Sequence, residues 1–261
     1  MPNWDASQYL RFAEERTRPC RDLAAQIATP SPRQVIDLGC GPGNSTQVLA
    51  ERWPNAELTG LDSSPEMIEA ARLIRPSRKW VVGDIANWTA REERPYDVVF
   101  SNAALQWVPD HATLFPRLMA QLATGGSLAV QVPNNIDAPA HVIARRLAAS
   151  DFWRRRFPVA GVREWHVHDS DFYYDLLAPH AARIDLWETE YLHIMPAADA
   201  IVEWYKGTGL RPFLEAISSA ADRERFIAAY LDEIRAAYPP RADGHVLFPF
   251  RRLFLIAYRK Y

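Results

Sequence analysis

The chain has 261 residues, of which 48% are hydrophobic and 24% charged, a balance typical of a soluble globular protein. Its 30 basic and 32 acidic side chains give a net charge of −2, which excludes a global positive field that recruits nucleic acid or an anionic membrane. The two cysteines, Cys20 and Cys40, are too few for a disulfide framework and favour a reducing compartment. Because no apolar run reaches the ~18 residues of a membrane span and no signal peptide is evident, we expect a cytoplasmic protein.

The predicted elements begin with a helix. Residues 5–28 have helical periodicity, and the segment Thr29-Pro30-Ser31-Pro32 then breaks the chain. We expect residues 1–30 to form a lid helix.

Short apolar runs and helical segments alternate through the next hundred residues. The predicted strands are 35–38, 56–61, 80–82, 96–100 and 127–132, and the helices between them lie near 44–52, 65–74 and 110–122. Such alternation is typical of βαβ units, so we expect an α/β fold with a doubly wound, mainly parallel sheet.

The alternation of predicted strands and helices becomes less regular after Pro133. Helices are predicted at 137–150 and 169–178, strands at 183–193 and 253–258, and mostly helical structure across 197–238. The two further strands bring the predicted sheet to seven. We therefore expect an α/β core over 31–196, a helical insertion over 197–240 that caps the site, and a last segment, 241–261, that returns to the sheet.

Polar residues follow each of the first four strands. They occur in the segments 37–44, 62–63, 83–85 and 101–103. Open parallel sheets bind ligands just beyond the carboxyl ends of their strands, so four polar ends in register predict a nucleotide-like ligand.

The first loop indicates which nucleotide is bound. Gly39, Gly41 and Gly43 form G-x-G-x-G, with Asn44 where a dinucleotide fingerprint needs glycine, and no Gly-Lys-Ser/Thr follows for a P-loop. The charge of Asp37 is unfavourable beside a pyrophosphate but suits an ammonium or a sulfonium. These features favour S-adenosylmethionine.

The residues that follow the second and third predicted strands also suit S-adenosylmethionine. Asp62 stands where an acidic residue pairs the two ribose hydroxyls of a nucleotide. Asp84, followed by the apolar Ile85, is placed to accept a hydrogen bond from an adenine amino group.

Three segments resemble class I S-adenosylmethionine-dependent methyltransferases, a Rossmann-like family. Residues 35–46 resemble its first motif, and residues 59–68 and 82–85 resemble the next two blocks. With the residues above, the resemblance implies a cofactor site made of Trp4, Tyr9, Asp37, Gly39, Cys40, Gly41, Asn44, Asp62, Ser63, Met67, Gly83, Asp84, Ile85, Asn102, Ala103 and Trp107.

A narrower resemblance, to the trans-aconitate 2-methyltransferase family, covers nearly the whole chain. It rests on Trp4-Asp5 with residues 9–19, and on residues 101–111, 208–212 and 252–254. The resemblance implies methyl transfer to a carboxylate of a small tricarboxylic acid, giving a monomethyl ester and S-adenosylhomocysteine. It also implies that the last strand is antiparallel.

This chemistry needs no catalytic general base, because a carboxyl group with a pKa near ~4 is already ionised at neutral pH. An anion with several carboxylates does need arginine forks. The residues expected to bind the substrate are therefore Arg16, Arg18, Arg211 and Arg252, with the aromatic side chains of Trp107 and Tyr174. Tyr173 is a further candidate for an aromatic wall.

Two other functions stay open. The first is methyl transfer to another acid, such as a carrier-bound malonyl group. Residues 102–111 also resemble methyltransferases that act on other small acids and on carrier-bound acids. The second is a non-enzymatic S-adenosylmethionine-binding protein. We expect no metal, no nucleic-acid or membrane partner, and a monomer or a weak homo-oligomer.

Overall fold

The computed structural model describes residues 13–89, 95–157 and 165–260. The strands are β1 (Gln34–Leu38), β2 (Glu57–Asp62), β3 (Lys79–Val82), β4 (Tyr96–Asn102), β5 (Leu122–Pro133), β6 (Ala181–Met195) and β7 (Val246–Arg259). The helices are α1 (Ala13–Gln26), α2 (Asn44–Arg52), α3 (Pro65–Ile74), α4 (His111–Ala120), α5 (Pro139–Ala149), α6 (Ser170–Leu177), α7 (Ala198–Lys206), α8 (Arg211–Ala216) and α9 (Ala220–Ala237).

The seven strands form one sheet in the order β3-β2-β1-β4-β5-β7-β6. β1 pairs in parallel with β2 and β4, β2 with β3, and β4 with β5. β7 pairs with β5 in the antiparallel direction. The predicted doubly wound, mainly parallel sheet with an antiparallel last strand is confirmed.

The central strands are buried along most of their length. All but the first residue of β1 is buried, as are the last eight residues of β5. Such continuous burial is typical of a parallel sheet that is covered on both faces. It also explains why these strands have no alternation of apolar and polar residues.

The helices α3, α4 and α6 each begin at a side-chain cap. Ser64 caps α3 through Met67 N–H, Asp110 caps α4, and Asp169 caps α6. These caps satisfy backbone donors that the first helical turn leaves without a partner. They set the start of each helix directly after a strand or loop of the sheet.

The chain divides into two compact units. Unit 1 comprises the described residues up to Pro133, Trp165–Thr189 and the chain from Arg252 onward, and unit 2 comprises the described residues of 134–164 and Glu190–Arg251. The predicted insertion over 197–240 lies inside unit 2, but unit 2 also includes α5 and parts of β6 and β7. Both strands, with 15 and 14 residues, are longer than the predicted strands 183–193 and 253–258.

Within the three described ranges, no helix combines the length and the apolarity that a membrane crossing requires.

Candidate functional site

The turn after β1 depends on glycine. Gly39, Gly41 and Gly43 have φ angles of 75°, 53° and 92°. Residues that have a side chain rarely adopt such positive values. The backbone N–H groups of Gly39 and Cys40 donate to the carbonyl of Leu61 at 2.7 and 3.0 Å, which joins the turn to β2. A Cβ atom on Gly39 would lie 2.2 Å from the Cβ of Ala104, so only glycine allows this close approach.

Gly41 marks the open part of the loop. A Cβ atom built on it meets no atom of the described residues within 4 Å, whereas one on Gly43 would lie 2.8 Å from the ring of Trp80. The Gly41 N–H donates to Asp62 Oδ2 at 2.9 Å. The loop therefore leaves space for a ligand above Gly41 and is held from below by the carboxylate of Asp62.

Asp37 lies beneath this loop and is fully buried. Its Oδ2 accepts hydrogen bonds from the hydroxyls of Ser45 and Thr46, both at 2.6 Å, which fix the first turn of α2. Its Oδ1 is buried and has no hydrogen-bond partner among the described residues. Burial raises the pKa of Asp37 to about 6, since desolvation of the carboxylate exceeds the opposing effect of the two hydroxyls.

Asp62 ends β2 and also supports the loop after it. Its Oδ1 accepts a hydrogen bond of 2.9 Å from the Ser64 N–H, and burial raises its pKa. A carboxylate has about four acceptor positions, so two backbone bonds leave capacity for ligand hydroxyls. Ser63 is exposed beside it, and Met67 is buried in the first turn of α3.

The end of β3 approaches the same loop. The Gly83 N–H donates to the carbonyl of Asp62 at 2.9 Å. Asp84 is exposed, with Oδ1 accepting from the Ala86 N–H, and Ile85 is buried with its Cδ1 3.6 Å from the position of a Cβ on Gly39. An apolar surface with a free carboxylate oxygen beside it suits a flat heterocycle with an amino group.

The end of β4 has an unusual backbone. Ala103 has a φ of 55°, a rare value for a residue with a side chain, and its N–H donates to the Gln131 carbonyl at 2.9 Å. This bend places Ala104 against Gly39. Asn102 precedes the bend, and its Oδ1 is buried without a partner in the described part of the chain.

A narrow cleft of about 30 Å³ joins the first loop to α1 and the end of β4. Its lining residues are Thr17, Cys20, Gly39, Cys40, Gly41, Pro42, Asn44, Ser45 and Asn102. Burial raises the pKa of both thiols, Cys20 and Cys40, so neither is a reactive nucleophile here. Cys40 contributes its backbone to the turn.

Trp107 and His111 follow β4. Trp107 makes an edge contact with Trp165, with ring centroids 5.6 Å apart. His111 is buried, its Nε2 bonds the Leu105 carbonyl at 3.0 Å, and its Nδ1 bonds the Tyr173 hydroxyl at 2.8 Å. The predicted aromatic wall does not include Tyr173, because its ring is buried in the core and its hydroxyl bonds His111.

Arg252 is the one substrate candidate found buried at the sheet edge within the described residues. It is 3% exposed, opposite Pro133 at the carboxyl end of β5, and its Nη1 donates to Gln131 Oε1 at 3.3 Å. Arg18 is exposed on α1, and Tyr174 is 54% exposed on α6. Arg211 lies in unit 2, where its Nε donates to Glu215 at 2.6 Å.

Trp4 and Tyr9 lie outside the described residues, and the side chain of Arg16 does too, although its backbone belongs to α1.

Sequence reasoning missed three residues at this edge: Ser64, Trp80 and Gln131. Ser64 follows Asp62 in a capping pattern before Pro65, a signal that was available. The positions of Trp80 and Gln131 depend on contacts with glycines and an arginine that are distant in the chain, so no local pattern indicated them.

The edge therefore presents oxygen acceptors at β1, β2 and β4 and a cation beside β5. Acceptors from Asp37, Asp62 and Asn102 suit a ligand with positive charge and hydroxyl groups, while Arg252 suits a carboxylate.

The chain is similar to known methyltransferases. A family described as a methyltransferase domain matches residues 35–126. The trans-aconitate 2-methyltransferase of Azoarcus sp. (strain BH72) is 49% identical over 260 residues, covering 99% of this chain and 100% of that protein. The enzyme of the same name from Acidovorax ebreus (strain TPSY) is 49% identical over 259 residues, or 99% of each chain.

A solved structure shares the fold at low identity. The YcgJ protein of Bacillus subtilis superposes with a TM-score of 0.62 at 14% identity and covers 94% of this chain and 99% of its own.

Proposed function

Because the chain belongs to the trans-aconitate 2-methyltransferase family, we propose that it transfers a methyl group from S-adenosylmethionine to one carboxylate of trans-aconitate. The products are the monomethyl ester and S-adenosylhomocysteine. The observation that carries the proposal is the burial of Arg252 at the carboxyl edge of the sheet, the edge at which Asp37, Asp62 and Asn102 also lie. One edge thus suits a cationic methyl donor and an anionic acceptor side by side.

The residues of the edge fit S-adenosylmethionine, which when bound supplies a methyl group on a positively charged sulfur. Asp62 is proposed to hold the ribose hydroxyls, since its carboxylate keeps acceptor capacity beyond its backbone bonds. Asp37 and Asn102 each keep a buried oxygen without a partner among the described residues, which suits the ammonium of the amino-acid part. Gly41 leaves the loop open, and Asp84 with Ile85 suits the adenine.

The protein's contribution to the reaction is binding and alignment. The acid is ionised at neutral pH, so no residue has to remove a proton from it. His111 cannot easily serve as a base, because both ring nitrogens are engaged and burial lowers its pKa. Aligning the reacting groups in a site shielded from water can contribute on the order of 7–11 kcal/mol to the rate.

The arginines account for the choice of acid. Arg252 binds one carboxylate of the acid at the end of β5, and Arg16, Arg18 and Arg211 are proposed to bind the others. Trp107 and Tyr174 are proposed as apolar contacts of the acid. One carboxylate then remains for methylation.

The experiment is a labelled-methyl assay in which trans-aconitate, cis-aconitate, isocitrate and citrate are offered side by side. We expect trans-aconitate to have the highest kcat/KM, and its product to be a monomethyl ester by mass spectrometry. Equal or higher activity on a carrier-bound malonyl group would contradict the proposed substrate. No transfer to any acid, with S-adenosylhomocysteine still bound, would contradict the proposed enzyme.

A further inference from the structure

Gln131 of β5 lies between Asn102 of β4 and Arg252 of β7 at the carboxyl edge of the sheet. On one side it is the register partner of Asn102 of β4, and on the other it lies two residues before Pro133, which is paired with Arg252 of β7. Register partners and residues two apart share one face of a sheet. Asn102, Gln131 and Arg252 therefore form a row across three neighbouring strands, and Gln131 itself is fully buried.

The contact with Arg252 fixes which way the amide of Gln131 points. A guanidinium group has donors only, so the atom that faces Arg252 Nη1 at 3.3 Å must be the amide oxygen. The amide nitrogen, Nε2, is consequently the other terminal atom. The donor-only chemistry of the guanidinium therefore decides which terminal atom of the Gln131 amide is the oxygen and which is the nitrogen.

Gln131 Nε2 is a buried donor that has no hydrogen-bond partner among the described residues. Leaving such a donor without a partner is destabilising, so a native protein keeps one where a ligand supplies the acceptor. An apolar side chain of the same length would fill this place in the strand at a lower cost. Packing alone therefore does not explain a glutamine here.

The character of the edge changes at this residue. Up to β4 the groups without a partner are oxygens, Asp37 Oδ1 and Asn102 Oδ1, which suit a cation. At β5 the group without a partner among the described residues is a donor, Gln131 Nε2, and the cationic guanidinium of Arg252 lies beside it. Because neighbouring strands lie about 4.8 Å apart, an anion bound at Gln131 is one strand away from the acceptors for the cationic ligand.

From this arrangement we propose that Gln131 is a substrate-binding and specificity-determining residue. Its Nε2 donates a hydrogen bond to a carboxylate of the acid, and its Oε1 positions the guanidinium of Arg252 for the same carboxylate. This inference rests on the proposed function, and it adds to it the group that recognises the acid beside the methyl donor.

The test compares Gln131→Met and Gln131→Glu with the wild-type protein. Met has nearly the same length and no amide, while Glu keeps an oxygen for Arg252 but removes the donor and adds a negative charge. For Gln131→Met we expect the KM for trans-aconitate to rise about 10- to 100-fold, the loss of one charge-assisted hydrogen bond. For Gln131→Glu the rise is larger, and in both variants the Kd of S-adenosylhomocysteine stays within about twofold.

The matched control is Gln34→Met, which makes the same substitution at the first residue of β1, at the amino edge of the sheet. Gln34 donates to Glu57 there, so the control removes a side-chain hydrogen bond remote from the site. Its KM for the acid should equal that of the wild type. Calorimetric titration of trans-aconitate into the S-adenosylhomocysteine complex gives the same comparison without turnover.

The outcomes separate this inference from the proposed function. A wild-type protein that neither methylates nor binds trans-aconitate overturns both. An active wild type, with Gln131→Met folded and its KM for the acid unchanged, overturns the role of Gln131 alone. If Gln131→Met fails to fold, Gln131→Asn withdraws the amide by one methylene, and an unchanged KM in that variant has the same meaning.

Discussion

Asp62 accepts a hydrogen bond of 2.9 Å from the backbone N–H of Gly41, so the carboxylate that ends β2 holds the loop that follows β1. The same carboxylate holds Ser64 at the start of α3. One side chain thus positions two of the loops that border the proposed cofactor site, while retaining acceptor capacity for a ligand.

Replacing Asp62 should weaken cofactor binding. We expect Asp62→Ala to raise the Kd of S-adenosylhomocysteine about 10- to 100-fold, because a charge-assisted acceptor contributes ~1.5–3 kcal/mol. The control is Asp97→Ala, since Asp97 also accepts two backbone N–H bonds, from Arg33 and Gln34, but at the amino edge of the sheet. That variant should lose stability and keep the Kd. An unchanged Kd for Asp62→Ala by calorimetry would exclude the ribose contact.

The buried carboxyl of Asp37 should make stability depend on pH. Its pKa is about 6 in the folded protein and about 3.9 in an unfolded chain. Well below pH 4 the group is protonated in both states. Between about pH 4 and 6 the unfolded state has released its proton while the folded state still binds one, so the folded state loses stability as the pH rises, and the loss is complete once the pH has passed the folded pKa.

The loss can be measured against a variant that does not ionise. Relative to Asp37→Asn, the wild-type free energy of unfolding should fall by on the order of 3 kcal/mol between about pH 4 and 7 and then level off. Urea unfolding of both proteins at several pH values measures this difference. A difference that is constant across the range would contradict the raised pKa.

Sequence reasoning predicted the sheet and the cofactor loop because their signals are local. G-x-G-x-G after a buried strand requires a tight turn, and the structure has Gly39, Gly41 and Gly43 at positive φ in that turn. The partners of Gln131 are not local, since Arg252 lies 121 residues further along the chain. Which face of α6 is buried is not a local property either. Tyr173 is buried and Tyr174 is exposed because the helix packs against the core and Tyr173 bonds His111.

Activity should not depend on a base that titrates near neutrality. The pKa of His111 is lowered by burial, and a neutral ring that donates to Leu105 and accepts from Tyr173 satisfies both nitrogens. We expect kcat to be nearly constant between about pH 6 and 9. His111→Ala should lower the free energy of unfolding by about 1–3 kcal/mol and leave the shape of the pH profile unchanged. A limb near pH 6.5 that disappears in this variant would identify a catalytic histidine.

The arginines connect the fold to the acid. Removing one fork from a buried carboxylate pair costs ~2–5 kcal/mol, so Arg252→Ala should reduce kcat/KM on trans-aconitate by about 30-fold or more. Most of the loss should come from the KM of the acid. The Kd of S-adenosylhomocysteine should stay near the wild-type value, because its proposed contacts are at β1 to β4.

Arg251→Ala is the matched control for Arg252→Ala, since Arg251 is the neighbouring residue of β7, is exposed, and donates to the Asn134 carbonyl. It should keep wild-type kinetics. Arg211→Ala tests the proposed role of Arg211, and we expect a similar loss of about 30-fold or more through the KM. Its ion pair with Glu215 is half exposed on the glutamate side and so contributes little to stability. If Arg252→Ala and Arg211→Ala both retain wild-type kinetics, a tricarboxylate does not bind at this edge, and a different acid must be the substrate.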